Sequence, residues 1–318
     1  MDVSVAAGLF VVGLGLIFHF REDLVKGAVG ASSGLGTTAY IVSIVLIVLD
    51  PGNLIVGITG SIEGLAGIAL GSVVGASMVT MALATGVMTL ITPVSFQDSP
   101  RRVLVLPLMA EVLFGILSLD GLISRTDGSV LLLGFVLSAL YLLRLSKRGL
   151  DIRPSGEIVS VLDKGASLGR RESLLLIGVS VAALVIGSII LLAGARVLMA
   201  GFGVSDTAFG MTVLPLLVGL EGLVREFPAF IRKRVEMSYA VITGPTLAFF
   251  LFNAGVIASV QPVPVDARTL SFYLPLTVVT TIVSSAFMYT GRIPRWGGAL
   301  LLILYMAFFA GGFVQAPW

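Results

Sequence analysis

An apolar helix broken at mid-length, with a carboxylate beside the break, constrains this chain more than any other feature. The stretch runs from Gly194 to Gly255. It opens GARVLMAGFGVSDTAFGMTVLPLLVGLEGLVREFP and continues to VITGPTLAFFLFNAG. Pro215, Gly219 and Gly222 interrupt the apolar run, and Glu221 lies next to the interruption. Proline removes a backbone donor and clashes with the preceding helical turn. A charge surrounded by hydrocarbon is tolerated only where it faces a cavity, a partner or an ion. Discontinuous helices at mid-membrane are how many secondary transporters build ion sites.

The rest of the chain supports a membrane setting. Of its 318 residues 57% are hydrophobic and 12% charged, with a mean hydropathy of +1.07. Soluble domains carry about 25% charged residues. In lipid only helices and closed barrels satisfy the backbone, and the apolar runs here are too long and unbroken for the alternation of barrel strands. With no cysteine and a single histidine, His19, the chain has neither disulfides nor thiolate or histidine metal clusters. A net charge of +2 gives no basis for nucleic-acid binding. The run from Val3 to Phe18 lacks a basic leader and a clear cleavage site, so it reads as a retained helix and not a signal peptide.

Ten segments are long enough to span a bilayer: about 3–31, 37–62, 65–92, 102–119, 128–146, 173–198, 206–229, 238–260, 270–290 and 296–314. One long polar connection, residues 147–172, divides them five and five. With that basic loop in the cytoplasm and the spans alternating, the outside receives only Arg125, Arg196 and Arg268, and every other basic residue falls inside. Both termini then face out, which describes a multi-pass protein of the cell membrane. Two halves with an odd number of spans must be inverted relative to each other. The expected organisation is a first five-helix repeat over 1–146, a cytoplasmic linker over 147–172 and an inverted repeat over 173–318, all α-helical, with broken second and seventh helices.

The halves share local patterns. LVKGAVGASSGLGTTA at Leu24–Ala39 answers VLMAGFGVSDTA at Val197–Ala208. Asp50-Pro51-Gly52-Asn53 breaks the second helix as Pro215, Gly219 and Gly222 break the seventh. Third-helix segments rich in small residues follow, GIALGSVVGAS at Gly67–Ser77 and SYAVITGPT at Ser238–Thr246. These runs resemble the cation/calcium exchanger superfamily, whose members carry two inverted five-helix repeats. A first-helix run of the type G-A-x-x-L-V-x-G-A is matched at Glu22–Ala28 and at Gly194–Gly201. The run G-V-S-x-x-x-x-G-x-T is matched by Gly203, Val204, Ser205, Gly210 and Thr212. A-L-G-N-x-x-G-S-N is matched loosely at Ala69–Ser77. The segment from Leu119-Asp120-Gly121 to Thr126-Asp127-Gly128, with the apolar run ending YLLRLSKRG, is similar to the family's fourth and fifth helices. In that family each repeat carries G-T-S-x-P-E, and its glutamate is a central ion ligand. Here VLDPGN and VGLEG stand in those places. Glu221 falls within one position of the second glutamate, while Asp50 lies up to a turn from the first. Thr80, Pro245 and Phe249 replace other polar positions, so the resemblance implies a kept scaffold and a thinned ligand set.

Read by residue type, Glu221 and Asp50 are the acidic candidates. Asn53, Thr212, Ser72, Ser77, Thr80, Thr243 and Thr246 could add oxygens toward the six to eight a Ca²⁺ ion takes. The same groups suit Na⁺ or a proton. Asp50 has a competing role as cap of a helix opening at Pro51, and Glu221 could pair structurally with Arg225. Glu111 stands alone in the fourth span with no assigned role. The resemblance implies a secondary antiporter of Ca²⁺ or another cation against Na⁺ or H⁺, with the bilayer and the transported cations as its partners and no cofactor. A non-transporting scaffold or sensor on the same fold, and a transporter of a different solute, stay open. No nucleophile, base and orienting group come together in the sequence, so no enzyme is expected.

Overall fold

The computed structural model describes residues 2–32, 50–96, 101–146, 168–219 and 244–313. The described chain is helical apart from four two-residue strands. Helix α1 is Val3–Ser32, α2 is Pro51–Ile62 and α3 is Ala66–Ile91. Helix α4 is Val105–Leu117, entered through a 3₁₀ turn at Arg101–Leu104, and α5 is Arg125–Ser146. Helix α6 is Arg170–Phe202, α7 is Asp206–Gly219, α8 is Gly244–Val260, α9 is Thr269–Tyr289 and α10 is Arg295–Phe313.

Local chemistry explains the ends. At the start of α6 the Glu172 carboxylate accepts from the Gly169 backbone N–H at 3.2 Å. Its other end stops at Gly203, whose φ of 65° is costly for any residue with a side chain. Ser205 then caps α7 by accepting from the Ala208 N–H. Helix α3 is interrupted at Ser72–Val73 and widens into a π-turn over Val79–Ala84. The same widening occurs over Phe209–Val213 in α7 and Ala248–Asn253 in α8.

Six helices, α1, α3, α5, α6, α9 and α10, are long and apolar enough to cross a bilayer. This is fewer than the ten expected spans. Helix α4 has only 13 residues, α2 has 12, and α7 and α8 fall under the length of a full crossing within the described residues. Outward-facing Val11, Leu133, Leu137 and Leu175 are all more than half exposed. Such a surface suits lipid and not water, and the chain is a multi-pass membrane protein.

Two packing units are visible. Antiparallel α1 and α6 meet backbone to backbone, because Gly13 leaves room for Gly187 and Leu191, and Gly194 leaves room for Ala6 and Phe10. They reach the remainder through α2 and α7 in a cluster that includes Val56, Phe209, Leu214 and Val218. The second unit gathers α3, α4, α8, α9 and α10 around Met78, Phe114, Phe250, Tyr273 and Phe308. Phe114 meets Phe250 edge-on at 5.3 Å. Lipid is as apolar as these side chains, so close packing and interhelical hydrogen bonds hold such helices together more than water exclusion does.

Strand β1 (Val94–Ser95) pairs antiparallel with β4 (Arg292–Ile293), and β2 (Leu122–Ile123) with β3 (Val263–Pro264). Each pairing joins one half of the chain to the other. A constant spacing relates the partners. Ser77 and Thr246, 169 apart, share a hydrogen bond, as do Glu111 and Thr281, 170 apart. The same spacing links the π-turns of α3 and α8, the turns at Gly121 and Gly291 with φ of 82° each, and the glycine contacts of Gly86 with Gly298 and Gly255 with Gly128.

Candidate functional site

Helix α2 opens at Asp50-Pro51, where proline is already preset for the first helical turn. Twelve residues rise about 18 Å, roughly half of a hydrocarbon core near 30 Å thick. Its far end lies at Glu63, an exposed residue whose carboxylate pairs at 2.8 Å with Arg196. Exposed pairs of this kind contribute little to stability. Asp50 adopts φ 43° and caps the helix. Its carboxylate accepts from the Asn53 backbone N–H at 3.3 Å and from the Asn53 Nδ2 at 2.7 Å. The Arg21 guanidinium lies 3.9 Å away. A helix N-terminus favours an anion, so local chemistry accounts for a carboxylate at this position.

Close backbone approach positions the next candidates. Gly67, Gly71 and Gly75 fall four apart on α3 and face α7, where a Cβ would strike Thr207, the Gly210 carbonyl and the Met211 carbonyl respectively. The Gly67 N–H also donates to Asp206 at 3.0 Å. This row of small residues lets the third helix of one half cross the α7 segment of the other with no side chains between them. Gly57 on α2 lies against Ser72 in the same way.

The hydroxyls on these helices are oriented, with Ser72 and Thr212 buried and Thr80 part-buried. Ser72 donates to the Ala69 carbonyl at 2.8 Å, Thr80 to Ala76 at 3.1 Å and Thr212 to Ala208 at 2.5 Å. Each satisfies its proton within its own helix and keeps lone pairs to accept with. Ser77 and Thr246, both fully buried, reach each other across the halves at 3.5 Å. Asn53 is 5% exposed. Of the residues singled out in the sequence, Asp50 and Asn53 come together, as do Ser77 and Thr246. Glu221 and Thr243 lie outside the described residues. Among the described residues no three acids or histidines converge.

Two buried polar residues were not in the expected set. Among the described residues Asn253, in the π-turn of α8, has no hydrogen-bond partner for either side-chain atom, and Glu111 has one oxygen without a partner. A lone polar residue inside an apolar run is the sequence signal that points to both. Phe249, at a position the resemblance reserves for a polar ligand, is packed at 3% exposure.

Residues 172–313 match the family model described as sodium/calcium exchanger protein. Over 97% of the chain and 94% of the relative, it is 22% identical to the inner membrane protein YrbG of Escherichia coli (strain K12). It is 21% identical to the sodium/calcium exchanger MaX1 of Methanosarcina acetivorans, over 96% of this chain and 98% of that one. The solved structure of the H⁺/Ca²⁺ exchanger CAX shares the fold with a TM-score of 0.75 at 17% identity, covering 97% of this chain and 85% of that chain. The family and the fold are those of transporters and not of enzymes. The chain is similar over nearly its whole length to a sodium/calcium exchanger, and its second half carries the match to that family's model.

Proposed function

We propose that the protein is a secondary cation antiporter that exchanges Ca²⁺, or another cation, for Na⁺ or H⁺ by alternating access. In this reading ten spans form two inverted five-helix repeats with both termini outside. The observation that carries it is the meeting of repeat equivalents: Ser77 with Thr246, and Glu111 with Thr281, each at the repeat spacing. Residues on different halves meet their own counterparts only where a two-fold axis passes. The cross-half contacts support the alternation as well. Connections 3–4 and 9–10, which the expected topology puts inside, pair as β1 with β4; connections 4–5 and 8–9, expected outside, pair as β2 with β3.

The cation is held where α2, α3, α7 and α8 approach one another. Glu221 supplies the principal charge. Ser72, Ser77, Thr80, Thr212, Thr243 and Thr246 supply neutral oxygens, of which a Ca²⁺ ion takes several beside its carboxylates. Asp50 and Asn53 hold the first half-helix open at the edge of the site, where Asp50 adds negative charge. The glycine-faced pair α1 and α6 slides across this centre to change the exposed side, since its contacts with the rest run through α2 and α7. Radiolabelled Ca²⁺ should enter liposomes containing the purified protein when a Na⁺ or pH gradient is imposed. Empty liposomes set the baseline.

A second reading is a scaffold or sensor that keeps the exchanger fold without transport. Phe249 filling a ligand position and Asp50 committed to Asn53 and Arg21 favour it. Absence of flux for every cation tried would select this reading.

A further inference from the structure

Glu111 lies in the middle of α4, 1% exposed, outside the helices assigned to the cation site. Its Oε1 accepts a 2.6 Å hydrogen bond from Thr281 on α9. Its Oε2 has no hydrogen-bond partner among the described residues. The neighbouring threonines behave differently. Thr277 and Thr280 on the same buried face of α9 return their protons to carbonyls of their own helix. Thr281 alone turns across to the acid.

Depth follows from the repeat spacing, and this step rests on the inverted-repeat reading above. An axis that relates two inverted halves lies in the membrane plane at half depth. Glu111 and Thr281 are repeat equivalents in contact, so they sit on that axis. A charge at this depth is more costly than anywhere else in the bilayer.

Among the described residues no opposite charge offsets it. Helix α9 bears no Asp, Glu, Lys or Arg, and Tyr289 closes its end. The π-turn of α8 is uncharged, as is all of α3. On α5 the charged residues, Arg125, Asp127 and Arg144, occupy the first and last turns. Arg101 and Arg102 precede α4, about 14 Å along the helix axis. Among the described residues there is thus no second donor that would fix a carboxylate, and no acceptor that would lock a proton on Oε2.

We infer that Glu111 is an exchangeable proton-binding site at mid-membrane, with Thr281 as its positioning residue, separate from the cation-binding oxygens. An O–H bond forms at Oε2 when hydronium gives up its proton, and breaks when water takes it back. No redox step is involved. In the neutral acid Oε1 is the carbonyl oxygen, and Thr281 continues to donate to it.

Infrared difference spectra of the purified protein in lipid, recorded between acidic and alkaline buffer, test the site without requiring transport. Wild type should gain a protonated-carboxyl C=O band on acidification. Glu111→Gln should lack that band and Glu111→Asp should restore one, which also controls for folding. Thr281→Val should move the band to higher wavenumber as the carbonyl loses its donor. A band unchanged by Glu111→Gln, or a Glu111 signal that stays constant across the whole pH range, would overturn the inference. A titrating Glu111 in a protein with no cation flux would defeat only the antiporter reading. Intact flux without the titrating band would defeat only this site.

Discussion

Helices α3 and α8 each widen once into a π-turn, at Val79–Ala84 and Ala248–Asn253, and each leads into a two-residue strand. Gly86 on one and Gly255 on the other then admit a helix from the opposite end of the chain, α10 and α5 respectively. The backbone course is thus repeated, but the chemistry is not. Where α3 presents Thr80, α8 buries Phe249, and one turn later Ala84 is answered by Asn253, whose side chain has no hydrogen-bond partner among the described residues. Backbone shape here depends on glycines and helix widening, which tolerate many neighbours. Ligand chemistry depends on single side chains and can change while the frame stays put.

The comparison breaks most completely if the halves are not inverted. Leu119 and Tyr289 are equivalent positions, 72% and 54% exposed. The chain has no cysteine of its own, so a single cysteine at either position can be labelled cleanly. Leu119→Cys should react with an impermeant maleimide added outside intact cells, and Tyr289→Cys only after permeabilisation. Labelling of both from one side would remove the inverted repeat.

Packing gives the next largest effect. Gly71→Val places a branched side chain against the Gly210 carbonyl. It should cost about 3 kcal/mol or more, seen as loss of the monodisperse peak or a sharp fall in Tm. Gly115→Ala, on the open face of α4, should leave both unchanged. A tolerant Gly71 would mean that α3 and α7 do not cross at this point.

The hydroxyl pair on the proposed axis should matter less. Ser77→Ala and Thr246→Val should each lower stability by about 0.5–1 kcal/mol, the value of one hydrogen bond. The double variant should cost less than the two effects added together. Strict additivity in thermal unfolding would show that the two residues do not interact. Asp50→Asn should have the smallest effect, under about 0.5 kcal/mol, because asparagine caps a helix as well as aspartate and the contact to Arg21 is long. A larger loss would give the Arg21 pair a structural role beyond capping.

Hydropathy made much of the architecture readable. The long apolar runs correspond to α1, α3, α5, α6, α9 and α10, and Pro51 marks the opening of α2. The Gly67–Gly71–Gly75 row was legible as a third-helix segment rich in small residues, though not the identity of its partner. The π-turns were not legible, because widening a helix by one residue needs no particular side chain. The cross-half strand pairs escaped too, since two residues carry no periodicity. Within the candidate site, Asp50 was readable as a cap from the proline after it. Glu111 could be seen as an isolated acid, but its role depends on a contact 170 residues away. Asn253 is visible in the sequence only as a single amide in an apolar run, a signal that marks the position without assigning it a role.

Uptake of radiolabelled Ca²⁺ into liposomes, driven by an imposed Na⁺ or pH gradient and compared for wild type, Glu221→Gln and Asp50→Asn, tests the central claim most directly. The account predicts gradient-dependent uptake in wild type, its loss to the level of empty liposomes in Glu221→Gln, and substantial uptake in Asp50→Asn. Uptake by Glu221→Gln equal to wild type would contradict it.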